Sequence, residues 1–139
     1  MAISHLESLL EAWAVAWSSQ DADKVVALFT DDCIYEDVTM GMVNHGKTEL
    51  RSFANLFFGA FPDLKIELHS RFVSGKFGGA EWTLSGTHTG DVPGLPASNK
   101  RISIRGASIF ELQGNKSRRC SDYWDMVTLL KQIGMMPSE

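Results

Sequence analysis

Apolar residues recur at three- and four-residue steps through Leu6, Leu9, Leu10, Trp13 and Trp17, the single stripe of an amphipathic helix. Ser18, Ser19 and Gln20 end the stripe. Asp21 then reads as an N-cap, with Asp23 in the first turn of a second helix, where the helix dipole favours an acid. Val25, Val26, Leu28 and Phe29 form that helix's buried side, and Asp31 and Asp32 mark the turn out of it. A short strand is predicted over residues 33–39, with Ile34 and Tyr35 favouring β structure. Gly41 and Gly46 bracket a tight connection. A third helix runs from Lys47 to Phe58 with Leu50, Phe53, Ala54, Phe57 and Phe58 inward, closed by Gly59 and Pro62.

The period then changes from helical to alternating. Leu64, Ile66, Leu68 and, after a phase shift, Phe72 predict a strand over residues 64–73. Gly75 and Gly78–Gly79 mark a turn region before a second strand from Ala80 to His88. Residues 89–99 hold Gly90, Pro93, Gly94, Pro96 and Asn99 and read as a loop, long for a hairpin; long loops in compact domains are often functional. Arg101 to Leu112 is a third strand, Gly114–Asn115 a hairpin turn, and Ser117 to Asp125 the last strand. Met126 to Ile133 is a terminal helical segment stopped by Gly134 and Pro137. No repeat, linker or low-complexity tract interrupts this order, so residues 1–139 read as one domain.

Three helices followed by a run of long antiparallel strands is an α+β order rather than βαβ. The expected architecture is a cone-shaped, curved antiparallel sheet wrapped by three N-terminal helices around an apolar pocket. Trp13, Trp17, Trp82, Trp124 and several of the 8 phenylalanines are enough to line it. Parity along the strands sorts the candidates. Asp122 shares a face with Cys120 and Trp124, and Ser108 shares one with Ile102, Ile104 and Phe110, whereas Asp125 points the other way from Asp122. A carboxylate in an apolar pocket is desolvated, its pKa rises, and it becomes a better base near neutral pH.

Composition narrows the function classes. The chain has 139 residues, a net charge of -4 and 44% apolar residues, which fits a globular protein and argues against nucleic acid as a partner. No apolar run reaches the length of a membrane helix, and Glu7 and Glu11 among the first apolar residues do not suit a signal peptide, so the expected location is the cytoplasm. Cys33 and Cys120 have no motif spacing and read as free thiols. No His, Cys, Asp and Glu grouping has zinc spacing, there is no Gly-rich phosphate loop, and no nucleophile elbow occurs, so neither a metal nor a cofactor is expected.

Several stretches together resemble a known family. Leu28–Phe29–Thr30–Asp31–Asp32–Cys33–Ile34–Tyr35–Glu36–Asp37 is similar to the helix-to-strand passage of the nuclear-transport-factor-2-like superfamily. Gly86–Thr87–His88–Thr89–Gly90, Gly94–Leu95–Pro96, and Asp122–Tyr123–Trp124–Asp125 with Leu129–Leu130–Lys131–Gln132–Ile133–Gly134 resemble the SnoaL-like polyketide (ester) cyclase group within it. The resemblance covers nearly the whole chain. It implies that Asp122 is a general acid/base, since the cyclases and the limonene-epoxide-hydrolase-like members both place a catalytic carboxylate there. The cyclases carry a His on the preceding strand at the position of Ser108, which can donate a hydrogen bond to an enolate oxygen but cannot become a cation.

Other members of the superfamily suggest further assignments. Ketosteroid-isomerase-like members place an Asp base where Asp37 stands, and their oxyanion pair falls on Trp13 and Ser108. The Arg-x-Asp pair of the epoxide hydrolases is replaced by Ala80–Glu81–Trp82. His88 either donates to a substrate oxygen or pins the loop that follows it; His45 reads as structural, and His5 and His69 as surface residues.

The expected function is a cofactor-independent cyclase or isomerase acting on an apolar, polyketide-like carbon acid. Asp122, Asp37 and His88 are the candidate catalytic residues. Trp13, Trp17, Tyr35, Phe57, Trp82, Ser108, Phe110 and Trp124 are the candidate contacts to a small apolar molecule. The alternative is a binding protein of the same fold without catalysis, and a third option is epoxide hydrolysis. Apolar residues of both parities on the last two strands, Ile109 and Tyr123 among those facing outward, predict a homodimer through the outer face of the sheet.

Overall fold

The computed structural model describes residues 2–137, with side chains from Leu6 onward, so the expectation for His5 lies outside the described side chains. Helix α1 spans Ala2–Ser18 and buries Leu10, Trp13 and Trp17, the stripe read from the sequence. Ser18 ties the end of α1 to the first strand of the hairpin beneath it, its hydroxyl accepting from the Ile66 amide at 2.9 Å. Asp21 caps α2 (Ala22–Val26) by accepting from the Asp23 amide.

The second helix is shorter than predicted. Phe29 is the first residue of strand β1 (Phe29–Asp37), and Asp31 and Asp32 lie within that strand rather than in a turn. Phe29, Cys33, Tyr35 and Asp37 are its buried positions, with a register shift against the neighbouring strand between Phe29 and Ile34. That irregularity breaks strict alternation and hides the strand from a period-two reading. The connection between Gly41 and Gly46 contains a short strand, β2 (Met42–His45), antiparallel to β1. Helix α3 (Gly46–Ala60) follows, with Leu50, Phe53, Ala54 and Phe58 buried and Phe57 half-buried. His45 sits at its N-cap, exposed, and its backbone amide donates to Glu49.

Strand β3 (Lys65–Ser74) pairs with β4 (Phe77–Thr87). The turn between them is confined to Gly75 and Lys76. Gly78 and Gly79 belong to the strand, because the Phe72 ring lies across Gly79 where a Cβ would collide with it. Strands β5 (Arg101–Gln113) and β6 (Lys116–Trp124) form the predicted hairpin around Gly114, whose φ of +64° suits glycine. The sheet order is β2-β1-β6-β5-β4-β3, antiparallel except for β1 beside β6. Helix α4 (Met126–Gln132) is capped by Asp125 and buries Leu129.

The curved, unclosed sheet and the helices meet over one aromatic core. Trp13 packs edge-on to Phe110, Trp17 edge-on to Phe53, and Tyr35 lies against Phe29 and Phe53. Ile102, Ile104, Ser108 and Phe110 face inward and Ile109 outward, as parity required. Cys33 and Cys120 are buried and free. No described helix is long and apolar enough to cross a membrane.

Candidate active site

A pocket opens between the sheet and the helices, with a cavity volume of about 50 Å³. Trp13 and Trp17 reach it from α1, Tyr35 and Asp37 from β1, and Phe57 from α3. Trp82 comes from β4, and Asp122 and Trp124 from β6. Phe53, Phe61, Leu64, Ile66, Leu84, Ile102, Ile104 and Leu129 complete an otherwise apolar wall. Eight of the eleven candidate site residues therefore converge on one space.

Asp122 is one of the two carboxylates of the pocket. Its carboxylate is buried, and its Oδ1 accepts from Ser108 Oγ at 2.6 Å and from Cys120 Sγ at 3.4 Å. The Tyr35 hydroxyl lies near enough to hold the Asp122 pKa down. Two indoles fix the direction of these bonds. Trp82 Nε1 donates to Ser108 Oγ at 2.9 Å, and Trp13 Nε1 donates to the Tyr35 hydroxyl at 3.2 Å. An indole N–H can only donate, so each hydroxyl accepts from its tryptophan, and Ser108 turns its own proton toward Asp122.

Burial pushes the Asp122 carboxyl up to about 7; the Ser108, Tyr35 and Cys120 bonds oppose that rise, and the charge of Asp37 adds to it. Burial pushes the Tyr35 hydroxyl and the Cys120 thiol well above their ordinary values, so both remain donors.

Asp37 lies beside Asp122, its Cα partner across the parallel β1/β6 pair. Trp124 Nε1 reaches both Asp37 oxygens at 3.0 Å, and the Met40 amide donates to Oδ1 at 2.9 Å. Burial raises its pKa, while these N–H donors hold it down. Thr39 braces the arrangement: its hydroxyl accepts from the Trp124 amide at 2.8 Å and donates to the Trp124 carbonyl at 2.9 Å.

Three candidates stand outside the pocket wall. Ser108 is fully buried behind Asp122 and spends its proton there, so it is not free for a substrate oxygen. Phe110 is buried under Trp13. His88 is 1% exposed and stacks on the outer side of the wall residue Phe61, at 5.2 Å between ring centres. Its Nδ1 bonds Ser98 Oγ at 3.0 Å, its amide donates to the Lys100 carbonyl, and its carbonyl accepts from the Ser98 and Asn99 amides. These bonds tie it to the 88–100 loop. Cys120 was not foreseen as part of the site. Its signal was its place two residues before Asp122 on one strand face.

Solved structures of similar fold differ widely in sequence. TsrD from Streptomyces laurentii superposes with a TM-score of 0.85 at 22% identity, over 96% of this chain and 97% of that one. A protein with a ketosteroid isomerase-like fold from Catenulispora acidiphila DSM 44928, in complex with trimethylamine, gives 0.83 at 18% identity, covering 92% and 93%. An epoxide hydrolase from M. tuberculosis described as LEH-like gives 0.77 at 19% identity, covering 96% and 92%. A search of curated protein sequences finds no significant match. The ketosteroid isomerase-like fold thus agrees with the cone expected from the order of helices and strands, and the sequence itself matches the SnoaL-like polyketide cyclase description over residues 7–133, so the chain belongs to that family.

Proposed function

We propose that the protein is a cyclase or isomerase in which Asp122 moves a proton at a carbon next to a carbonyl group of an apolar, polyketide-like substrate. The observation that carries this reading is the Asp122 carboxylate at the wall of an apolar pocket, with a pKa raised to about 7. A group titrating near the working pH is both an adequate base and an adequate acid. In the ionised form Asp122 takes the proton from carbon. The carbanion, as its enolate, attacks a second carbonyl of the same molecule, and Asp122 returns the proton to the new alkoxide. Atoms balance with no added reagent, and the reading asks for no cofactor.

The neutral donors support this cycle. Ser108 and Cys120 bond the carboxylate from behind the pocket, while Tyr35 also lines the pocket. When Asp122 takes up a proton its pull on the Tyr35 hydroxyl weakens, and that proton can turn toward the enolate oxygen. The aromatic walls would hold the folded conformer of the substrate, so proximity supplies part of the rate.

Binding without catalysis is the second reading. It draws on the lack of a cationic side chain among the pocket-lining residues and on Ser108 standing where the cyclases carry a histidine. The trimethylamine complex of the Catenulispora protein supports a small-molecule ligand under either reading. Epoxide hydrolysis is disfavoured: Glu81 on β4 is exposed and bonded to Ser70 at 2.8 Å, so that strand brings no acid into the pocket.

The test is deuterium uptake from D2O at the α-carbon of a flat bicyclic ketone, β-tetralone. The wild type should exchange above background and Asp122→Asn should lose about a hundredfold or more. Full exchange by the variant contradicts the role of Asp122. Tight binding of the ketone with no exchange by the wild type favours the binding reading.

A further inference from the structure

The polar lining of the pocket carries charge of one sign. Asp37 and Asp122 are its two carboxylates, and no Lys, Arg or His is among the residues that line it. Asp37 is 2% exposed, and each hydrogen bond it makes is to an N–H: the Trp124 indole at both oxygens and the Met40 amide. The one indole proton is shared between its two oxygens and the Met40 amide meets Oδ1, so every donor around Asp37 favours its ionised form. The basic residue nearest in sequence to Asp122, Arg119 on β6, is engaged with Glu36 at 3.0 Å.

A buried carboxylate with no cation beside it is costly, and a positive partner relieves that cost. The rest of the wall suits the same partner. Trp13, Trp17, Tyr35, Trp82 and Trp124 crowd the pocket, and aromatic rings attract cations through their negative faces. An anion entering the space would meet two carboxylates and no cationic side chain.

Resting on the acid–base reading above, we propose that the ligand of this pocket is an apolar molecule carrying a protonated or quaternary amine, with Asp37 as its counter-charge. The ammonium group sits against Asp37 among the aromatic rings, and the reacting carbon faces Asp122 one strand away. The ligand's own charge stabilises the developing carbanion, a service that Ser108 cannot give as a neutral residue.

Three probes of one shape test the proposal by calorimetry: choline, its neutral carbon isostere neohexyl alcohol, and the anionic analogue tert-butylacetate. Choline should bind at least about tenfold more tightly than the alcohol, and the carboxylate more weakly than either. Asp37→Asn should abolish the preference for choline while still binding the alcohol, which shows that its pocket is intact. Choline binding no tighter than the alcohol in the wild type, including binding of neither, overturns the proposal. So does a preference that survives Asp37→Asn. The exchange assay on a neutral ketone reads Asp122 separately. Intact exchange without a choline preference rejects the amine and keeps the acid–base reading, and lost exchange with the preference intact does the reverse.

Discussion

Ser108 Oγ donates to Asp122 Oδ1 across 2.6 Å, and it does so because the Trp82 indole already occupies its acceptor side. This bond lowers the Asp122 pKa against the rise caused by burial. Ser108→Ala removes it, so the carboxyl should titrate higher than about 7. At neutral pH less of the base is ionised and exchange should fall several-fold, with recovery toward higher pH. The pH–rate profile of α-carbon exchange checks this; an unshifted profile contradicts the positioning role. The variant also leaves the buried Trp82 N–H unpaired, at a cost of about 1–3 kcal/mol.

Asp122 also sets a pH dependence of stability. Its pKa is about 7 in the folded chain against 3.8 ordinarily, so between those values the folded state holds a proton that the unfolded state has released. Stability from this group is therefore fully present below the ordinary value and is lost as pH rises to about 7. The loss is about 4 kcal/mol at most. Asp122→Asn keeps the shape without the buried charge. Its thermal midpoint should gain on the wild type as pH rises from about 5 to about 8. A gap that does not change with pH contradicts the raised pKa.

The helical stripe of α1, the N-cap at Asp21 and the β5–β6 hairpin were legible in the sequence because each follows from a local rule of period or turn chemistry. The parity of Asp122 and Ser108 was legible for the same reason. What sequence alone could not show depends on contacts made across the chain. β1 was cut short because its irregular register breaks alternation, and β2 was hidden because it exists only by pairing with β1. Ser108 was placed on the correct face, but its proton was assigned to a substrate; that Trp82 turns it toward Asp122 is a three-strand relationship among β4, β5 and β6. The pairing of Asp37 with Trp124 spans 87 residues of sequence and left no motif.

Gly106 is required by the site at a distance. The Trp82 ring lies over it, and a Cβ there would collide with the six-membered part of the indole. Gly106→Ala should push Trp82 off Ser108, lower stability by about 1–3 kcal/mol and raise the Asp122 pKa in the same direction as Ser108→Ala. Urea unfolding and the exchange profile read the two effects.

His88 should behave as a structural residue. His88→Ala removes a buried ring stacked on Phe61 and bonded to Ser98. The thermal midpoint should fall, while the midpoint of the exchange pH profile should stay where it is in the wild type. A shift in that midpoint would give His88 a part in the proton transfer.

Ile109 and Tyr123 stand on the outer face of neighbouring strands, 48% and 49% exposed. The expected homodimer through this face would cover them. Light scattering at micromolar concentration should give twice the 15.4 kDa of one chain, and Ile109→Arg should restore the monomer mass. A wild-type mass of one chain contradicts the dimer.

Asp122, with its pKa raised to about 7, should exchange a proton near neutral pH. Carbon-13 NMR titration of the aspartate carboxyls tests it most directly, with Asp122→Asn identifying the resonance. One carboxyl should titrate with a midpoint at about 7 and be missing from the variant. An Asp122 resonance that titrates near the ordinary 3.8 contradicts it.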